Sequence, residues 1–227
     1  MTQRPALPAA VLWDMDGTLI DTEPHWMAAE VELVEAHGGT WTHHDALAMV
    51  GSSMAVCAAA LQERGVALEV AEIAHALNSA VGAAVSAGIP WQPGARELVE
   101  ALHAAGVPQA LVTSSFSVLA EPFAAAVGLF DVVVAGDRVR RPKPDPEPYL
   151  TAARLLGVEP AACVAVEDSR SGIASAVASG ARVVAVQTAA PIAPPAGVTR
   201  TASLADVDLD VLARVVAGET LDLRTAG

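Results

Sequence analysis

The sequence predicts an α/β fold, with a parallel β-sheet at its core and a separate helical insert. Three patterns indicate this fold. Short apolar runs recur along the chain, helical patterns lie between them, and residues 22–91 form one long helical stretch without such runs. Strands that alternate with helices favour a parallel sheet covered by helices on both faces.

The apolar runs are the predicted strands. They are short and do not alternate with polar residues, which is typical of strands buried on both faces. We place them at 11–13, 110–112, 132–134, 164–166 and 183–186. Each run ends in a polar cluster, and in an open α/β sheet ligands bind beyond the carboxyl ends of the strands.

Four helical patterns are predicted to cover the sheet, at 95–105, 118–127, 147–156 and 172–179. A glycine follows each pattern, at positions 106, 128, 157 and 180. Because glycine is the usual residue at the C-terminal cap of a helix, these positions predict where the helices end.

The stretch from 22 to 91 is predicted to be a helical cap domain inserted after the first strand. Its candidate helix stops are Gly38–Gly39, Gly51–Ser52, Gly65 and Gly88, and residues 89–94 have the composition of a return linker. The predicted domains are therefore a core of 1–21 and 92–227 and a cap of 22–91. A Pro/Ala-rich loop is predicted at 189–195.

Composition excludes several classes of partner. The 227 residues carry 13 Lys and Arg against 26 Asp and Glu, a net charge of -13, which disfavours binding to nucleic acid or to anionic membranes. No stretch has the pattern of a membrane span, and residues 1–10 are too broken for a signal peptide. Cys57 and Cys163 form neither a metal spacing nor a disulfide framework, so a reduced cytoplasmic setting is expected. A monomer and a small homo-oligomer are both compatible with the sequence.

The polar clusters after the strands predict one shared site. They supply Asp14, Asp16, Thr113, Ser114, Glu167 and Asp168, and Lys143 lies in the loop after the third strand. Four carboxylates in one pocket repel one another, and a hard divalent cation such as Mg²⁺ relieves that repulsion. Lys143, the hydroxyl of Thr113 and nearby backbone N–H groups could then bind a phosphate, which makes a small phosphorylated metabolite the expected partner.

The first cluster, Asp14-Met15-Asp16-Gly17-Thr18, predicts the chemistry. Alternate residues leaving a strand point the same way, so two carboxylates can face one substrate. Asp14 can attack phosphorus, and Asp16 can protonate the leaving oxygen and later deprotonate water. Gly17 permits a tight turn and is assigned to phosphate binding together with Thr113, Ser114 and Lys143.

These residues resemble the four motifs of the haloacid-dehalogenase-like (HAD) hydrolase superfamily. The stretch 14–21 is similar to the first motif, Thr113 to the second, Lys143 to the third and 167–172 to the fourth, in the same order and within residues 11–186. The resemblance implies a Rossmann-like core, Mg²⁺ and an aspartyl-phosphate intermediate. It also implies that the metal binds the Asp14 carboxylate, the Asp16 backbone carbonyl and Asp168, with Glu167 assisting.

The insert position resembles the subclass with a helical cap between motifs one and two. Asp16 favours phosphoryl transfer, since the dehalogenases of this superfamily lack that second Asp. Residues 21–26 are similar to the branch that contains sugar-phosphate and 2-deoxyglucose-6-phosphate phosphatases as well as β-phosphoglucomutase.

Charge in the predicted cap separates a phosphatase from a mutase, which must hold a second phosphate. Between residues 22 and 91 the only Lys or Arg is Arg64, against eight Asp and Glu. Ser52 and Phe116 occupy positions where the mutase resemblance favours basic residues. The sequence therefore favours hydrolysis of a sugar or polyol monophosphate. A sugar phosphomutase and a non-catalytic phosphometabolite sensor remain as alternatives.

Overall fold

The structure is a computed structural model that describes residues 6–50, 52–187 and 195–224. The predicted helix stop at Gly51 and residues 189–194 of the predicted Pro/Ala loop lie outside these described residues. The chain divides into two compact units. The first unit consists of Met1–Asp21 together with Trp91–Gly227, and the second unit is Thr22–Pro90. Among the described residues, no helix is both long and apolar enough to cross a bilayer.

A parallel sheet forms the centre of the first unit, and the predicted α/β fold is confirmed. Its strands are β1 (Ala10–Trp13), β2 (Gln109–Val112), β3 (Val132–Val134), β4 (Cys163–Glu167), β5 (Arg182–Val186) and β6 (Thr199–Thr201). Their order is β3-β2-β1-β4-β5-β6, and every neighbouring pair is parallel. The strand order therefore reverses at β1, which pairs with β2 on one side and β4 on the other.

Helices connect the first five strands. They are α5 (Ala95–Ala104), α6 (Ser117–Val127), α7 (Glu147–Leu156) and α8 (Arg170–Ser179), and a further helix, α9 (Leu209–Val216), follows β6. Gly128, Gly157 and Gly180 cap α6, α7 and α8 in the left-handed conformation that glycine adopts without strain. The strands β1, β2 and β4 are fully buried, which explains their continuous apolar sequence.

The second unit contains the helices α1 (Glu23–Ala36), α2 (His43–Met49), α3 (Met54–Glu63) and α4 (Val70–Ala87). Helix α2 begins with a capping box between Thr42 and Asp45, and α3 begins where the hydroxyl of Ser53 accepts the N–H of Val56. Helix α4 buries Ile73, Leu77 and Val81. This helical unit matches the helical pattern of the sequence.

Trp91 falls in the first unit, one residue away from the predicted boundary at 92. Its backbone bridges Ile20 in an antiparallel pair, and its ring lies 5.8 Å from that of Phe123. Pairing and packing with core residues thus place this tryptophan in the core unit rather than in the insert.

Candidate active site

The candidate site lies at the carboxyl end of the sheet, where the strand order reverses. Asp14 follows β1, Thr113 follows β2, and Asp168 follows β4. The backbone N–H of Asp14 donates to Val166 of β4 at 3.0 Å, which holds the aspartate against the neighbouring strand. A site at this reversal is typical of open α/β sheets.

Lys143 joins two of the predicted carboxylates. Its Nζ donates to Asp14 Oδ1 at 2.7 Å, to Glu167 Oε1 at 2.6 Å and to the carbonyl oxygen of Val112 at 2.9 Å. Burial lowers the pKa of this lysine, but the negative charges of Asp14 and Glu167 together raise it by more, so the pKa of Lys143 lies above its usual value. Lys143 therefore remains a cation beside Asp14.

Asp14 is buried among like charges. Burial and then the charge of Glu167 raise its pKa well above the usual 3.8, although Lys143 opposes them. The hydroxyl of Thr18 lies 3.1 Å from Asp14 Oδ2 and 3.3 Å from Asp168 Oδ1. A single lysine thus faces more than one carboxylate, and the surroundings of Asp14 carry an excess of negative charge.

Asp14, Glu167 and Asp168 can together hold a metal ion, because each offers a carboxylate oxygen within 4.8 Å of the others. Gly17 makes room for this cluster. It has a positive φ of 81°, and a Cβ at that position would overlap the carboxylate of Asp168. Anionic oxygens with excess negative charge are the donor set that a hard divalent cation prefers.

Glu167 is held by donors on both of its oxygens. Oε1 accepts from Lys143 and from the hydroxyl of Tyr149 at 2.7 Å, and Oε2 accepts from the N–H of Asp168 at 3.1 Å and from Ser169. Burial, followed by the charge of Glu167, raises the pKa of Tyr149 well above its usual value, so the phenol stays a donor. A Cβ at Gly172 would overlap this carboxylate, which explains the glycine near the start of α8.

Asp16 contacts the segment after β2. Its Oδ2 lies 3.3 Å from Thr113 Oγ1 and 2.6 Å from Ser115 Oγ. Ser114, which the sequence assigned to phosphate binding, is exposed. The structure therefore brings together Asp14, Asp16, Thr113, Lys143, Glu167 and Asp168, with Gly17 beside Asp168, and it directs Ser115 rather than Ser114 toward Asp16.

Sequence reasoning missed three residues of the site, namely Thr18, Ser115 and Tyr149. Thr18 was within the first motif, and Ser115 was within the Thr-Ser-Ser cluster, so both carried a local signal. Tyr149 carried none, because its hydroxyl reaches Glu167 from the first turn of an otherwise ordinary helix.

Comparison with known proteins identifies the family of this chain. A family model described as haloacid dehalogenase-like hydrolase matches residues 8–180. The chain is 35% identical over 186 residues to hexitol phosphatase A of Escherichia coli, covering 79% of this chain and 83% of that protein. It is 34% identical over 183 residues to the fructose-1-phosphate phosphatase YqaB of Escherichia coli, covering 79% of this chain and 96% of that protein.

A similar solved structure is that of CbbY from Rhodobacter sphaeroides in complex with phosphate. It superposes with a TM-score of 0.78 at 28% identity, covering 88% of this chain and 96% of that chain. The resemblance inferred from the four motifs is thereby confirmed: the chain belongs to the haloacid dehalogenase-like hydrolase family.

Proposed function

We propose that this protein is a Mg²⁺-dependent phosphatase that hydrolyses a small phosphorylated metabolite through an aspartyl-phosphate on Asp14. The observation that carries the proposal is the environment of Asp14. It is buried at the centre of the sheet edge, hydrogen-bonded to the cation Lys143 and clustered with Glu167 and Asp168. An anionic nucleophile beside a cation suits attack on a phosphoryl group.

The metal would be held by the Asp14 carboxylate, the Asp16 backbone carbonyl and Asp168. Glu167 assists by fixing Lys143 and the backbone of Asp168. The raised pKa of Asp14 opposes the ionised form that attack requires. Magnesium held by these residues would supply positive charge, which would favour the ionised form of Asp14 and offset the charge of the phosphate oxygens.

Two protein groups are proposed to bind the phosphoryl group during its transfer to Asp14. Lys143 places its charge beside the attacking oxygen, and the hydroxyl of Thr113 lies next to Asp16. Both groups are fixed before substrate arrives, Lys143 by three hydrogen bonds and Thr113 by its backbone N–H, which donates to Val134 at 3.0 Å. Such preorganised donors stabilise charge that develops in the transition state.

The reaction takes two steps. First, a carboxylate oxygen of Asp14 attacks phosphorus, the bond from phosphorus to the leaving oxygen breaks, and protonated Asp16 gives that oxygen its proton. Second, water attacks the phosphorus of the aspartyl-phosphate, its proton passes to Asp16, and the bond from phosphorus to Asp14 breaks. Inorganic phosphate leaves, and both carboxyl groups return to their starting states.

We propose a sugar or polyol monophosphate as substrate. The relatives named hexitol phosphatase and fructose-1-phosphate phosphatase support this class. The charge of the helical unit supports a single phosphate, because its one Lys or Arg, Arg64, already pairs with Asp45 at 2.7 Å and lies over the ring of Trp41. A mutase would need a cation for a second phosphate.

Purified protein tests the proposal directly. It is expected to release inorganic phosphate from p-nitrophenyl phosphate and from at least one sugar or polyol monophosphate in Mg²⁺, and to stop when EDTA is added. Asp14→Asn should lower kcat by at least about 10³-fold, since the nucleophile is lost. The exposed Asp21 provides a matched control, and Asp21→Asn should keep its activity.

Three outcomes would contradict the proposal. Full activity in Asp14→Asn would show that Asp14 is not the nucleophile. Isomerisation of a sugar phosphate with a bisphosphate primer, without net phosphate release, would identify a mutase. Tight binding of a sugar phosphate without turnover would identify a sensor.

A further inference from the structure

Ser115 contacts the proposed general acid/base more closely than any motif residue does among the hydrogen bonds described. Its hydroxyl donates to Asp16 Oδ2 at 2.6 Å, and its side chain is buried. Resting on the proposed function, we infer that Ser115 is a positioning residue, which orients Asp16 so that one defined oxygen exchanges the proton with the leaving group and with water.

The backbone of Ser115 is fixed on both sides. Its N–H donates to Thr113 Oγ1 at 3.0 Å, and its carbonyl oxygen accepts from the N–H of Gly136 at 2.8 Å. A Cβ at Gly136 would overlap the backbone of Ser114, so glycine allows this close approach. A serine anchored in this way holds its hydroxyl in one place, as a residue that orients another must.

Thr113 cannot do the same work throughout the reaction. Its hydroxyl lies 3.3 Å from Asp16 Oδ2, which is longer than the 2.6 Å contact of Ser115. A hydroxyl has one proton to donate. When Thr113 donates to a bound phosphate, as proposed above, that proton is no longer available to Asp16, and Ser115 keeps the carboxyl group in place.

The anchored oxygen determines where the transferred proton sits. A protonated carboxyl group carries its proton on one oxygen, and Oδ2 accepts the hydrogen bond from Ser115. The proton is therefore carried by Oδ1. It moves to the leaving oxygen as the bond from phosphorus to that oxygen breaks, and Oδ1 later takes the proton of the attacking water.

Leaving groups that differ in their need for a proton test this role. Nitrophenolate leaves readily without protonation, whereas the alkoxide of glycerol phosphate needs it. Single-turnover experiments with enzyme in excess and Mg²⁺ present measure release of the alcohol, and so report phosphoryl transfer to Asp14 alone. Ser115→Ala is expected to slow this step about 10- to 100-fold for glycerol phosphate and less than about threefold for p-nitrophenyl phosphate, with KM nearly unchanged for both.

Three further variants sharpen the test. Ser115→Thr retains a hydroxyl and should restore most of the lost rate. Ser115→Cys has nearly the same size but a weak S–H donor, so it should reproduce the selective loss even if the alanine variant fails to fold. Ser117, two residues further on, donates its hydroxyl to Asp137 instead, and Ser117→Ala should behave as wild type.

The possible results separate this inference from the proposed function. An equal loss for both substrates, or no loss for either, would overturn the role of Ser115 while leaving the phosphatase intact. A rise in KM with unchanged kcat would also overturn it, because Ser115 would then be binding phosphate. If wild-type protein released no phosphate from any monophosphate, the proposed function itself would fail first, and the inference with it.

Discussion

Lys143 is a buried cation between Asp14 and Glu167, and its removal would leave two buried carboxylates without the cation that pairs with them. Breaking a buried ion pair destabilises the fold strongly, because the charge that remains in the interior has lost both its hydration and its partner ion. The lysine therefore serves folding as well as catalysis.

We predict that Lys143→Met lowers the free energy of unfolding by about 3–5 kcal/mol. Urea denaturation in the presence of a chelator measures this, so that no bound metal replaces the lost charge. The double variant Lys143→Met/Glu167→Gln is the control and should recover part of the loss, since one unpaired charge is removed. A single variant as stable as wild type would show that the pair does not matter for folding.

Gly17 is the residue that makes space for the acidic cluster. We predict that Gly17→Ala raises the Mg²⁺ concentration for half-maximal activity by at least about tenfold, because the new methyl group displaces Asp168. Magnesium titration of the phosphatase activity gives the value.

Gly106→Ala is the matched control for Gly17→Ala. Gly106 also has a positive φ, at 71°, but a Cβ there meets nothing within 4 Å. The control should lose stability through backbone strain while keeping the magnesium dependence of wild type. Equal magnesium requirements in both variants would mean that Gly17 acts through its backbone alone.

Single residues also show how far sequence reasoning reaches. Asp14, Asp16 and Asp168 stand in motifs whose order and strand ends predict that they meet, and the structure brings Asp14 within reach of Asp168. The choice between Ser114 and Ser115 could not be made, because it depends on the local turn that buries one hydroxyl and exposes the next. Tyr149 was unpredictable because only tertiary packing brings it to Glu167.

Strands and helices followed the sequence where their patterns were strong. The five apolar runs all became strands, and the predicted stops at Gly128, Gly157 and Gly180 agreed with the ends of their helices. Strand β6 was missed because it has only three residues, Thr-Arg-Thr, with no apolar run. It forms through its register with β5, which pairs Val184 with Thr199, and such long-range pairing leaves no mark in local sequence.

Helices α1 and α3 of the helical unit share a buried carboxyl group. Glu30 of α1 accepts from Trp41 Nε1 at 3.1 Å and from Cys57 Sγ of α3 at 3.3 Å. Burial raises its pKa above the usual 4.5, although these two donors lower it. The folded chain thus binds the proton of the Glu30 carboxyl group more tightly than the unfolded chain does. As the pH rises from 4.5 through the raised pKa of the folded state, the free energy of unfolding therefore falls.

We predict that Glu30→Gln becomes more stable relative to wild type as the pH rises through that window, because glutamine cannot ionise. Urea denaturation at a series of pH values measures the difference. Glu32 lies exposed on the same helix, so Glu32→Gln serves as the control for the same substitution at a site that is not buried. If the difference in unfolding free energy between Glu30→Gln and wild type is constant with pH, burial does not raise the pKa of Glu30.

Across the whole molecule, the site is assembled from distant parts of the chain. Lys143 reaches Asp14 over 129 positions and Glu167 over 24. The order of the motifs predicted that these residues share one edge of the sheet, but the distances between them follow from strand register and helix packing. The net charge of -13 disfavours binding to polyanions such as nucleic acid.

The most direct test of the account is to find the phosphoryl group on the protein. Wild-type enzyme is mixed with substrate and Mg²⁺, quenched in acid within one turnover and digested, and its peptides are analysed by mass spectrometry. We predict a peptide containing Asp14 that is heavier by one phosphoryl group and is absent when EDTA replaces Mg²⁺. Two results would contradict the role of Asp14 as nucleophile. One is hydrolysis with the phosphoryl group on another residue, and the other is hydrolysis with no phosphorylated residue at any of the early time points.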